Sequence, residues 1–95
     1  MNPEIVLKLV KDKAIAKWGE DYWFAQLVRG YTEAENNATG KKLKPLQRRS
    51  QIEKLFNDMA NQDRLALKTA AYLLKAVGGE IEIVFVSRET AKLSV

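Results

Sequence analysis

Six cations fall within 14 residues: Lys41, Lys42, Lys44, Arg48, Arg49 and Lys54, with Glu53 the one acid among them. That stretch carries a net +5 while the whole chain carries +4, so everything else sums to −1. Positive charge focused in this way beside a helix is an electrostatic footprint for a polyanion. From about Pro45 to Asp58 the pattern predicts that helix. With each residue turned about 100° from the last, Ile52, Leu55, Phe56 and Met59 fall on one side, with Arg48 beside them. Gln47, Ser50, Gln51 and Lys54 recur at i, i+3, i+4 and i+7 on the opposite side, as one continuous stripe that ends at Asp58. Arg49 lies at the border. Amide, hydroxyl and ammonium groups are those that bond base edges and phosphates in a major groove. The candidate base contacts are therefore Gln47, Ser50, Gln51 and Lys54. The candidate phosphate contacts are Lys41, Lys42, Lys44, Arg48 and Arg49.

Other chemistry is sparse. The chain has no cysteine and no histidine. A disulfide framework and a thiolate metal site are excluded, and the commonest general base and zinc ligand are absent. No glycine-rich phosphate loop and no Gly-x-Ser-x-Gly turn is present. The acid pairs Glu33/Glu35 and Glu80/Glu82 read as solvated surface rather than as working carboxylates. No active site, metal or cofactor is expected. Four of the eight aromatic residues are Tyr22, Trp23, Phe24 and Tyr31. They could stack on bases, but their helical spacing reads more simply as core.

The elements that must position the basic stretch follow from the 95-residue chain, enough for one domain with a single core. Asn2-Pro3-Glu4 is a helix start, and the helix runs to about Trp18 with Gly19 as its stop. Ile5, Val6, Leu9 and Val10 form its apolar side, opposite Lys8, Lys11, Asp12 and Lys13. A strand over Ile5 to Val10 is the competing reading. Glu20-Asp21 opens a second helix with Trp23, Leu27, Gly30 and Tyr31 on one side and Phe24 and Val28 on the next. Asn36, Asn37 and Gly40 mark its end. Lys41 to Pro45 is an exposed loop. After a turn and cap at Asn61-Gln62-Asp63, a central helix is expected from about Arg64 to Val77, with Arg64, Lys68, Ala71 and Lys75 as its polar strip. Gly78-Gly79 ends it. Residues 80–87 alternate, with Ile81, Ile83 and Phe85 on one side, and predict one short strand. Its unpaired ladder groups suggest antiparallel pairing with a second copy, hence a homodimer.

The expected fold is thus mainly α: a bundle of four to five helices with a helix-turn-helix-like element and one C-terminal strand. Residues 1–87 form a single domain and 88–95 a loose tail. No run is apolar enough to span a bilayer and the start does not read as a signal peptide, so no membrane partner and a cytoplasmic location are expected.

Ser50-Gln51-Ile52, Lys54-Leu55, Leu67-Lys68-Thr69, Lys75-Ala76-Val77-Gly78 and Glu80-Ile81-Glu82-Ile83 together resemble the second half of Cro/repressor-type helix-turn-helix regulators, a group that includes antitoxins of addiction modules. The resemblance covers roughly Arg49 to Phe85. It implies a transcriptional regulator that reads duplex DNA and a possible toxin partner. It also implies base contacts from Gln47, Ser50, Gln51 and Lys54 and phosphate contacts from Lys41, Lys42, Lys44 and Arg49. Ala34, Ala38 and Gly40 are nearest to the family's turn, but Gly40 stands 10 residues before Ser50, which implies an insertion there. Two other classes compete: a non-catalytic protein-interaction module built on the fourth helix and the strand, and an RNA-binding module using the aromatic residues of the second helix.

Overall fold

The structure, a computed structural model, describes residues 2–78. Four α-helices follow in order: α1 (Pro3–Trp18), α2 (Trp23–Thr39), α3 (Leu46–Asn57) and α4 (Leu67–Ala76), with a short 3-10 turn (Met59–Asn61) between the last two. The mainly α bundle is the observed fold. The expected strand is corrected: no strand occurs among the described residues, and 80–87, its pairing across a dimer axis and the 88–95 tail lie outside them.

α1 begins where capping chemistry places it. The Asn2 backbone is extended, and its side-chain oxygen accepts from the N–H groups of Glu4 at 3.0 Å and Ile5 at 3.5 Å. Pro3 needs no partner for a missing N–H, and Glu4 favours the positive end of the helix dipole. Gly19, at φ 86°, donates to the Ile15 carbonyl and stops the helix. Asn2→Ala should therefore lower stability by about 1 kcal/mol. Urea unfolding followed by circular dichroism checks this; an unchanged midpoint would show that the cap contributes nothing.

The competing strand over Ile5 to Val10 does not form. The helix is instead rotated relative to the expected face. Leu7, Val10 and Ala14 are fully buried, whereas Ile5 and Leu9 are 65% and 46% exposed. Apolar residues cover a wide arc of this helix, and contact with α2 chooses which part of the arc is covered.

α2 is the central element, packed on α1, α3 and most extensively on α4. Leu27, Val28 and Tyr31 from α2 meet Ile52 and Phe56 from α3, Leu73 from α4, and Leu7, Val10 and Ala14 from α1 in one core. Each fully buried leucine contributes about 1.5–3 kcal/mol relative to an exposed one. The aromatic residues of α2 belong to this packing. Trp23 makes edge-to-face contacts with Phe24 and Phe56, both at 5.6 Å between centroids, and Tyr31 does so with Tyr72 at 5.5 Å.

α4 is shorter at its start than expected, beginning at Leu67 rather than Arg64. The residues expected to cap it are used elsewhere. The Gln62 side-chain amide donates to the Asp58 carbonyl at 3.1 Å and the Lys54 carbonyl at 3.5 Å, closing the open end of α3. Leu65 packs against the core, and Ala66 is extended and offers no side-chain cap.

Candidate nucleic-acid interface

The basic loop is built by the end of α2. Gly40, at φ 75°, is left-handed and its N–H donates to the Asn36 carbonyl, which turns the chain out of the helix. Asn36 then clamps the loop with its side chain. Its Nδ2 donates to the Leu43 carbonyl and its Oδ1 accepts from the Leu43 N–H, both at 2.9 Å. This pairing mimics a backbone ladder and fixes Leu43, so the lysines on either side of it project from an ordered turn. Lys41, Lys42 and Lys44 are all exposed.

α3 follows at once. The Gln47 side-chain oxygen accepts from the Lys44 N–H at 2.7 Å, while the Gln47 N–H donates to the Lys44 carbonyl at 2.9 Å. This reciprocal pair is one half of a capping box and sets the entry of the chain into the helix at Pro45. Ile52 and Phe56 are buried on the inner side. Gln47, Ser50, Gln51 and Lys54 are all exposed on the outer one. Among the described residues, no hydrogen bond or ion pair engages the side chains of Ser50, Gln51 or Lys54; the Lys54 backbone carbonyl alone accepts from Gln62. Gln47 has its oxygen committed to the backbone and keeps its amide N–H groups. Leu46 precedes the stripe and is 81% exposed.

The five candidate phosphate contacts divide. Lys42, Lys44 and Arg49 are exposed, and the Arg49 guanidinium lies over the Phe24 ring at 5.0 Å. Arg48 is different. Its Nε and Nη2 donate to the two oxygens of Glu35, at 2.8 and 2.9 Å, across the α2–α3 contact. A guanidinium held through two parallel N–H groups of one edge by a carboxylate serves the protein's own packing first. Lys41 lies between the two groups: exposed, with its Nζ 3.9 Å from the same Glu35.

Glu35 was expected on a solvated surface and is buried, 7% exposed. The hydrogen-bonded Arg48 guanidinium holds its carboxyl below the usual carboxylate range, against the opposing effect of burial, and the nearby charges of Arg48, Lys41 and Lys68 add to the lowering. Burial pushes the neighbouring Tyr31 phenol up. Sequence periodicity carried a signal for this site. Leu27, Tyr31 and Glu35 recur at i, i+4 and i+8, so Glu35 continues the buried stripe of α2. Its partner was not legible in the same way. Among the described residues, no group of three or more His, Cys, Asp or Glu side chains is placed to hold a metal ion. Nor does any helix among them have the length and apolarity to cross a membrane.

No family model matches the chain, and comparison with curated proteins and with solved structures gives no match.

Proposed function

We propose that the chain is a duplex-DNA-binding regulator, of the repressor or antitoxin kind that the resemblance implies, which docks the outer side of α3 in a major groove. One observation carries this reading: the Gln47/Ser50/Gln51/Lys54 stripe is exposed along its whole length beside an ordered cationic turn. Lys41, Lys42, Lys44 and Arg49 would neutralise phosphates and set the register. α3 would then read base edges. Gln51, with both donor and acceptor free, suits adenine, to which a glutamine can bond in bidentate fashion. Gln47, with its oxygen used, can only donate, which fits a purine N7 or a carbonyl. Ser50 adds a short hydroxyl between them. Leu46 offers apolar surface one turn before Ser50, where a thymine methyl could be covered. A cytoplasmic setting fits this reading.

Tyr31 is buried and Trp23 and Phe24 are half-buried against the core, which leaves Tyr22 as the one well-exposed ring of the four and supports duplex DNA over single-stranded RNA, since stacking on bases needs free ring faces. The test is binding to duplex DNA over a salt series. Each phosphate neutralised adds about −0.9 to the slope of log affinity against log salt, so Lys41→Ala/Lys42→Ala/Lys44→Ala should make that slope shallower by about 2 to 3. An unchanged slope would remove the loop from the interface. Preference for a single-stranded RNA competitor would remove the groove-reading helix.

A further inference from the structure

Cations from two elements and a third nearby converge on one buried acid. Arg48 of α3 reaches Glu35 through two bonds at 2.8 and 2.9 Å, and Lys41 of the basic loop approaches it at 3.9 Å. Lys68 of α4 lies within the same electrostatic field. The two direct contacts are unequal. The Arg48 pair is bidentate, and its side chains are only 24% and 10% exposed, which makes it strong and lasting. The Lys41 contact is a single ammonium at the limit of ion-pair distance on a side chain 56% exposed, so water and salt weaken it. A polyanion at the surface could draw Lys41 away and leave Arg48 where it is.

We propose that Glu35 is a positioning residue for the duplex contact: it fixes α3 against α2 through Arg48 and holds Lys41 until a phosphate takes that lysine over. The proposal rests on the duplex-DNA reading above. Its logic is electrostatic. The site joins one negative group to three positive ones, so a net positive surface remains for phosphate to meet. The carboxylate spends one charge on orientation. Without it, Arg48 and Lys41 would both be free to grip any phosphate backbone, and affinity would rise without regard to sequence.

The variant is Glu35→Gln, which keeps the shape and removes the charge. The probes are a duplex selected by the parent protein from a random pool and a scrambled duplex of equal length. The variant should show a salt slope steeper by about 0.9, as Arg48 joins Lys41 on phosphate. Its preference for the selected duplex over the scrambled one should fall about tenfold, the scale of one charge-assisted hydrogen bond. A role confined to folding would lower binding to both duplexes together and leave their ratio alone. That result, or a slope and ratio equal to those of the parent, overturns the proposal. If Glu35→Gln does not fold, Lys41→Met tests the same transfer. It should make the slope shallower by about 0.9 and keep the ratio, and an unchanged slope overturns the proposal. The parent protein separates this question from the larger one. Failure of the parent to prefer any duplex sinks the duplex-DNA reading, whereas a selective parent with an indifferent Glu35→Gln sinks only the role of Glu35.

Discussion

Gly30→Val should be the most damaging single substitution on α2, lowering stability by about 3 kcal/mol or more. Gly30 sits where α2 crosses α4. A Cβ built on it would lie 2.8 Å from the Ala76 Cβ and 3.2 Å from the Ala76 Cα. Neither atom can swing aside, because one is the helix backbone and the other is fixed to it. Gly30→Ala already sets two effects against each other. Alanine favours a helix interior over glycine by about 1 kcal/mol, while overpacking costs about 1–3 kcal/mol. Valine loses much of the propensity gain and adds two methyl groups to the clash, so the outcome is one-sided. Urea unfolding measures it. Pairing Gly30→Ala with Ala76→Gly supplies the decisive check. Removing the Ala76 methyl makes room for the new one, so the double variant should recover much of the loss and show a coupling energy of about 0.5 kcal/mol or more. Strict additivity would mean that the close approach does not limit packing there.

That glycine also shows what could be read from the sequence and what could not. Gly30 was legible as a member of the apolar side of α2, but its contact is with a helix 46 residues further on, and periodicity within α2 contains nothing about Ala76. Where the determinants are local, the reading held closely. Asn2, Pro3 and Gly19 delimit α1, Gly40 ends α2, and Pro45 precedes α3 as expected. The inner side of α3 was right because only one arc of that helix is apolar. α1 was rotated because its apolar arc is wide and only contact with α2 selects Leu7 over Ile5 and Leu9. The start of α4 moved because Gln62, which read as part of its cap, bonds back to α3.

The candidate site followed the same division. Exposure of Gln47, Ser50, Gln51 and Lys54 came from spacing within one helix. The clamp from Asn36 to Leu43 and the pairing of Glu35 with Arg48 join positions 7 and 13 residues apart, across a turn whose shape no repeat encodes. Charge alone grouped Arg48 with the other cations. Burial of its partner separates it from them, and it is this separation that makes α3 a helix held at a fixed angle rather than one more cationic segment.

Arg48→Met should accordingly cost about 3 kcal/mol at neutral pH, the lower end of what is lost when one member of a buried pair is removed, because Arg48 is itself partly exposed. The methionine keeps most of the apolar contact, so the loss reports the carboxylate left behind. Lys41 cannot replace the guanidinium, being a single exposed ammonium at 3.9 Å. The pH dependence gives the sharper measurement. In the parent, Arg48 holds the Glu35 carboxyl below its ordinary value. The pair therefore stabilises the fold fully above the unfolded carboxylate range, near about 4.3, and that contribution is lost as pH falls through the depressed folded value. In the variant the largest lowering cause is gone. Burial is then opposed only by the charges of Lys41 and Lys68, so the carboxyl rises relative to the parent, and taking up a proton relieves part of the buried charge. Urea midpoints measured from neutral pH down to about 3 should bring parent and variant together, the parent losing stability while the variant's penalty shrinks. A gap that stays constant over that range would mean that Arg48 acts through packing alone, and that Glu35 does not hold the angle of α3 by charge.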